Sequence, residues 1–75
     1  MPFIHVYAYS GRDMETKIRA VQAIVKAAGE TMGAPETSFT VAYEEVERAD
    51  WEKDVIQAYV EPLGDKVLMR RGKLL

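Results

Sequence analysis

The chain has 75 residues, 48% hydrophobic and 29% charged, with 10 Lys and Arg against 12 Asp and Glu for a net charge of −2. That balance is ordinary for a globular domain and argues against disorder. It also argues against a nucleic-acid binder, which would carry a basic face. There is no cysteine, so no disulfide is available, and a zinc site would have to be built from His5 and carboxylates alone. One domain spanning 1–75 is expected. A chain this short buries only about 60% of its unfolded surface, so its core needs help, and self-association is the usual remedy. The apolar stretches fall far short of the roughly 20 residues that cross a bilayer. The opening Met1-Pro2-Phe3-Ile4-His5 lacks the charged and apolar regions of a signal peptide, which points to a soluble cytoplasmic protein with no membrane partner.

Phe3 to Tyr9 alternates with the period of a strand, placing Ile4, Val6 and Ala8 on one face and Phe3, His5, Tyr7 and Tyr9 on the other. Neither face is polar, so both are expected to be covered, as in a packed or subunit-bridging sheet. Ser10-Gly11-Arg12-Asp13 breaks the pattern, with Asp13 suited to cap a helix. From Met14 to Met32 the residues Ile18, Val21, Ile24, Val25, Ala28 and Met32 form one apolar helical stripe. Gly33 suits a left-handed helix end, and Pro35 prevents continuation.

Ser38 to Val46 alternates again, with Phe39, Val41 and Tyr43 opposing Thr40, Ala42 and Glu44. Strand, long helix and strand predict a β-α-β unit with parallel strands. In the last third Asp50 could cap a short helix from Trp51 to about Val60. Pro62 would open a further helix through Leu63, Val67 and Leu68, ended by Arg70-Arg71-Gly72-Lys73. The predicted class is therefore α+β: a β-α-β unit with short C-terminal helices, paired across a dimer into a four-stranded sheet.

The chain has no phosphate loop, no nucleophile with a histidine partner and no metal-ligand cluster. It does place a proline directly after the initiator methionine. Removal of Met1 would leave Pro2 with a free secondary amine, a nitrogen base of the kind that proton transfer beside a carbonyl requires. Burial or a nearby cation lowers the pKa of such an amine below the usual 7.7–8.0. Proline also suits the first residue of a strand for purely structural reasons.

Pro2-Phe3-Ile4-His5-Val6 opening a strand, Gly11-Arg12 at its end, a long helix with Lys17 in its early turns, and Ala34-Pro35-Glu36-Thr37-Ser38 leading into the second strand together resemble the 4-oxalocrotonate tautomerase family. The resemblance runs from residue 2 to about 52. Beyond it, tryptophan at 51 and proline at 62 are similar to a longer-tailed bacterial subgroup, usually dimeric.

What this resemblance implies is a tautomerase that interconverts the enol (2-hydroxydienoate) and keto forms of a small 2-keto acid. No metal or cofactor is implied. Pro2 matches the catalytic general base and acid, Arg12 an arginine that holds the substrate carboxylate, and Trp51 an aromatic wall. Thr40 stands where the best-known members carry an arginine that polarises the 2-keto oxygen, and threonine supplies only a neutral hydrogen bond. Arg48, or Arg70 and Arg71 of a neighbouring copy, are the candidate replacements.

Read without the resemblance, Arg12 is a solvated loop residue and Trp51 a core anchor. His5 reads as a packed or interfacial imidazole. Glu44, Glu45, Glu47, Asp50, Glu52 and Asp54 read as a solvated acidic surface, and Lys66, Arg70, Arg71 and Lys73 as a modest basic tail. Arg12 follows Pro2 by ten residues, roughly 30 Å along a straight strand. A shared site would then take the two residues from different copies of a homodimer or hexamer. The alternative is a non-catalytic oligomeric scaffold or binding module on the same fold. Dehalogenation of a small haloacrylate ranks lower, for want of a second carboxylate.

Overall fold

A computed structural model describes residues 1–75. Asp13 begins the longest element by accepting the Thr16 amide on its side chain at 2.9 Å, while its carbonyl accepts from Lys17 N–H at 3.1 Å. Helix α1 then runs over Met14–Met32, as its apolar spacing predicts. It ends with Gly33 in the left-handed region (φ 69, ψ 33) and with the Ala34 amide donating back to Gly29 O at 3.0 Å. That is the bond pattern of a Schellman stop, which satisfies a carbonyl the helix leaves orphaned. Gly29 is buried beneath it. A Cβ there would meet the Ala34 carbonyl oxygen at 2.9 Å, so the close turn depends on its absence.

Two strands flank this helix, β1 at Phe3–Tyr9 and β2 at Thr40–Val46, hydrogen-bonded as one sheet. Near one end Thr40 N–H donates to Pro2 O at 3.1 Å, further along His5 bonds Glu44, and beyond β1 Gly11 bonds Glu45. The partner numbers rise together, so the strands are parallel, as the long crossover requires. The second strand starts later than alternation alone predicts. Ser38 donates both its amide (3.0 Å) and its hydroxyl (2.7 Å) to Pro35 O, which closes a 3₁₀ turn over Glu36–Ser38.

Alternation sorts the sheet into two faces. Tyr43 and Glu45 meet Lys17 of α1, so the helix lies on the face carrying Ile4, Val6, Ala8 and Val41. On the other face Phe3, His5 and Tyr7 form a ladder of rings, with centroids 5.9 and 4.3 Å apart. Within Met1–Glu45 no element covers that ladder, and Phe3 is 65% exposed.

Val46–Leu75 forms a second compact unit. A 3₁₀ turn over Arg48–Asp50 comes first, closed by Asp50 N–H donating to Glu47 O at 2.9 Å. Asp50 therefore belongs to the turn and does not cap the helix, as its side-chain type had suggested. Trp51 occupies the position before the coil with helical backbone and no side-chain cap. The coil itself, Glu52–Val60, is π-helical, and it ends with the Glu61 amide donating to Ile56 O five residues back. Val55 within it is the one buried hydrophobic side chain of the whole chain.

The helix expected from Pro62 through Leu68 is replaced. Glu61–Leu63 makes a single α-turn containing Pro62, Gly64–Lys66 a 3₁₀ turn, and Val67 is extended. Gly64 stops the α-turn at φ 57, ψ −124, far from the α-helical region. The basic tail is a hairpin of β3 (Met69–Arg70) and β4 (Lys73–Leu74), with Met69 opposite Leu74 and Arg70 opposite Lys73. Both turn residues, Arg71 and Gly72, have positive φ (50 and 80), the backbone of a type I′ turn. Leu75 N–H donates to Leu68 O at 2.9 Å and extends the pairing.

Candidate functional site

Pro2 is half-buried at the head of β1, while Met1 before it is wholly exposed. The Thr40 amide fixes Pro2 through its carbonyl, so the first residue of β2 sits beside the candidate base. Thr40 is exposed, leaving its hydroxyl open to solvent. These two of the four sequence-predicted residues are brought together.

Arg12 is not brought to them. It lies past the far end of β1, where its Nη1–H donates to Tyr9 O at 3.2 Å. The seven residues of β1 between them span about 23 Å at 3.3 Å per residue. No small acid bridges that distance within one chain. Arg12 is exposed and makes no ion pair. Trp51 is half-buried in the second unit.

A cleft of about 240 Å³ opens between α1 and β2, lined by Met14, Lys17, Ile18, Val21, Gln22 and Tyr43. None of the four predicted residues lines it. Its one charged group, the Lys17 ammonium, lies 5.8 Å from the Tyr43 ring centroid and is paired with Glu45. The cleft is thus an apolar hollow without a free base or nucleophile. Met14 and Ile18 at its rim are 64% and 49% exposed, which suits packing better than chemistry.

Hydrogen bonds from Thr16 favour the charged form of Asp13 and hold its carboxyl below the usual aspartate range. No group of three or more His, Cys, Asp or Glu is placed to hold a metal ion.

Two contacts were not legible as function from sequence. His5 Nε2–H donates to Glu44 Oε2 at 2.9 Å on the aromatic face. Glu45, read as one more solvated acid, instead pairs with Lys17 and accepts from the Gly11 amide at 3.4 Å. Its parity with Val41 and Tyr43 was the available signal, since it turns Glu45 toward the helix.

Comparison with known proteins bears on the family. Residues 2–64 match the family model described as tautomerase enzyme. A probable tautomerase of Ralstonia nicotianae is 41% identical over 51 residues, covering 68% of this chain and 73% of that protein.

Proposed function

The chain belongs to the tautomerase family, whose members are isomerases, and from that premise we propose that Pro2 carries its chemistry. Once Met1 is removed, the Pro2 amine acts as general base and then general acid. It takes a proton from the enol hydroxyl of a small 2-hydroxydienoate and returns one to carbon, giving the 2-keto acid. The total exposure of Met1 leaves it open to an aminopeptidase. General acid–base catalysis by one positioned group is worth about 10²–10⁴ in rate, and the rigid ring holds the lone pair in one direction.

The single observation that carries this reading is the position of Pro2. The family match begins at that residue, and the Thr40 amide ties it to the end of the sheet. Around it the other roles follow from chemistry. Thr40 offers one neutral donor to the keto oxygen, where developing negative charge needs a preorganised partner. Arg12 of a second copy holds the carboxylate through two parallel bonds. Trp51 walls the apolar part of the substrate. No cofactor enters the scheme.

Exposed apolar surface supports self-association in this scheme. Phe3, Met14, Ile18 and Met32 are all about half exposed or more, a large apolar surface for a β-α-β unit to leave in water. We read residues 1–75 as one functional domain working as a homodimer or hexamer.

Thr40 also favours a second reading, a scaffold that kept the fold and lost the reaction, since it brings no positive charge. One experiment separates them. Intact mass first establishes whether the native protein has lost Met1, and ketonisation of phenylenolpyruvate is then followed beside Pro2→Ala. A processed wild type whose rate collapses in the variant supports the tautomerase. Retained Met1, or equal rates in the two proteins, supports the scaffold.

A further inference from the structure

Resting on the reading of Arg12 as the carboxylate anchor, we propose that Glu45 is a positioning residue for it, acting through the Gly11 amide. Glu45 lies near the end of β2, level with the loop that joins β1 to α1. Its Oε1 pairs with Lys17 Nζ, and its Oε2 accepts the Gly11 N–H at 3.4 Å. One carboxylate therefore ties together the second strand, the second turn of the helix and the residue next to Arg12.

The arrangement differs from an ordinary surface ion pair. The Lys17 and Glu45 side chains are only 17% and 33% exposed, and Lys17 is also held over the Tyr43 ring. Exposed pairs stabilise little, so the value of this one lies in where it places the second oxygen. Gly11 has φ 124, which a residue with a Cβ rarely adopts, and a loop built on so permissive a residue needs an external hold. On the other side of Arg12, the guanidinium is tied to Tyr9 O. The loop is thus gripped on both sides of the anchor.

Charge completes the logic. Glu45 is committed to Lys17 and Gly11, and Arg12 forms no ion pair with any acid of the chain. The anchor is steadied by a carboxylate that does not neutralise it. The Gly11 bond is long for its type, so the hold is modest, and its loss is expected to loosen substrate binding without stopping the reaction.

The test is steady-state ketonisation of phenylenolpyruvate by wild type, Glu45→Ala and Glu45→Gln, each with and without Arg12→Ala. Glu45→Ala is expected to raise KM about two- to tenfold, the worth of one hydrogen bond, with kcat little changed. Glu45→Gln keeps an oxygen for the Gly11 amide and is expected to recover most of that loss. In the Arg12→Ala background Glu45→Ala adds nothing, because the two act as one unit. A full additional KM rise in that background, or a fall in kcat alone, overturns the proposal. If Arg12→Ala itself leaves KM unchanged, the anchor reading fails first and the positioning role falls with it, and the single variant identifies that case. Amide exchange at Gly11 gives a readout independent of activity. Faster exchange in Glu45→Ala than in Glu45→Gln is expected, and equal protection in both overturns the hold.

Discussion

Met1–Glu45 and Val46–Leu75 are built by different rules. In the first, the helix ends and the start of β2 have local causes: Asp13 caps the helix, Gly33 with Ala34 stops it, and Ser38 turning back on Pro35 delays the strand. In the second, no helical segment has a side-chain cap, and the elements are short turns, a π-coil and a hairpin of two-residue strands. The first unit also holds Pro2, Thr40 and Arg12, three of the four residues given roles in the proposed reaction.

The largest expected effect breaks that first unit at its chemical end. Pro2→Ala is expected to lower the ketonisation rate by about 10²–10⁴ while leaving the fold intact, checked by kinetics beside circular dichroism. Next comes the helix stop. Alanine is the better helix former by about 1 kcal/mol, yet Gly29→Ala drives a Cβ against the Ala34 carbonyl. A net loss of about 1–3 kcal/mol is expected from denaturant unfolding. A gain would show that the close turn relaxes freely.

A smaller effect probes the second unit. Gly72→Ala puts a Cβ at φ 80 in the hairpin turn and is expected to cost about 1 kcal/mol, read as lost amide protection in β3 and β4. The smallest effect is electrostatic. Because hydrogen bonds from Thr16 lower the Asp13 pKa below the ordinary 3.8, its charged form favours the folded state. That contribution is complete above the ordinary aspartate range and is lost as pH falls through the lowered value. Asp13→Asn, which keeps the cap oxygen, is expected to flatten the acid end of the stability profile.

The contrast between the units also explains what could be read from the chain. Strand β1 and helix α1 were legible to the residue, because seven alternating positions and a nineteen-residue stripe between two caps leave little choice. The tail misled for a physical reason. Leu63, Val67 and Leu68 have helical spacing, but Gly64 takes a backbone outside the α-helical region, and the strands that follow are too short to show a period. The Arg71–Gly72 turn was the missed signal, since a glycine in a two-residue loop permits the I′ geometry. The π-coil had no signal in the spacing of its apolar residues. Pro62 just beyond it marks where a regular α-helix could not continue, because its ring would clash with the carbonyl four residues back.

Of the candidate site, Pro2 and Thr40 could be named from the sequence but their adjacency could not, since it depends on the strand register. The separation of Arg12 from Pro2 followed from counting strand residues. Glu45 was missed because acidic residues crowd that stretch, and only its parity distinguished it.

In the proposed mechanism each site takes Pro2 from one copy and Arg12 from another. Mixing inactive Pro2→Ala with impaired Arg12→Ala, after dissociation and reassembly, tests it most directly. A homodimer with isologous sharing is expected to regain about a quarter of wild-type activity, because half the assemblies are mixed and each holds one intact site. Activity in the mixture no greater than the average of the two separate variants, with mixed assemblies confirmed by native mass spectrometry, would contradict it.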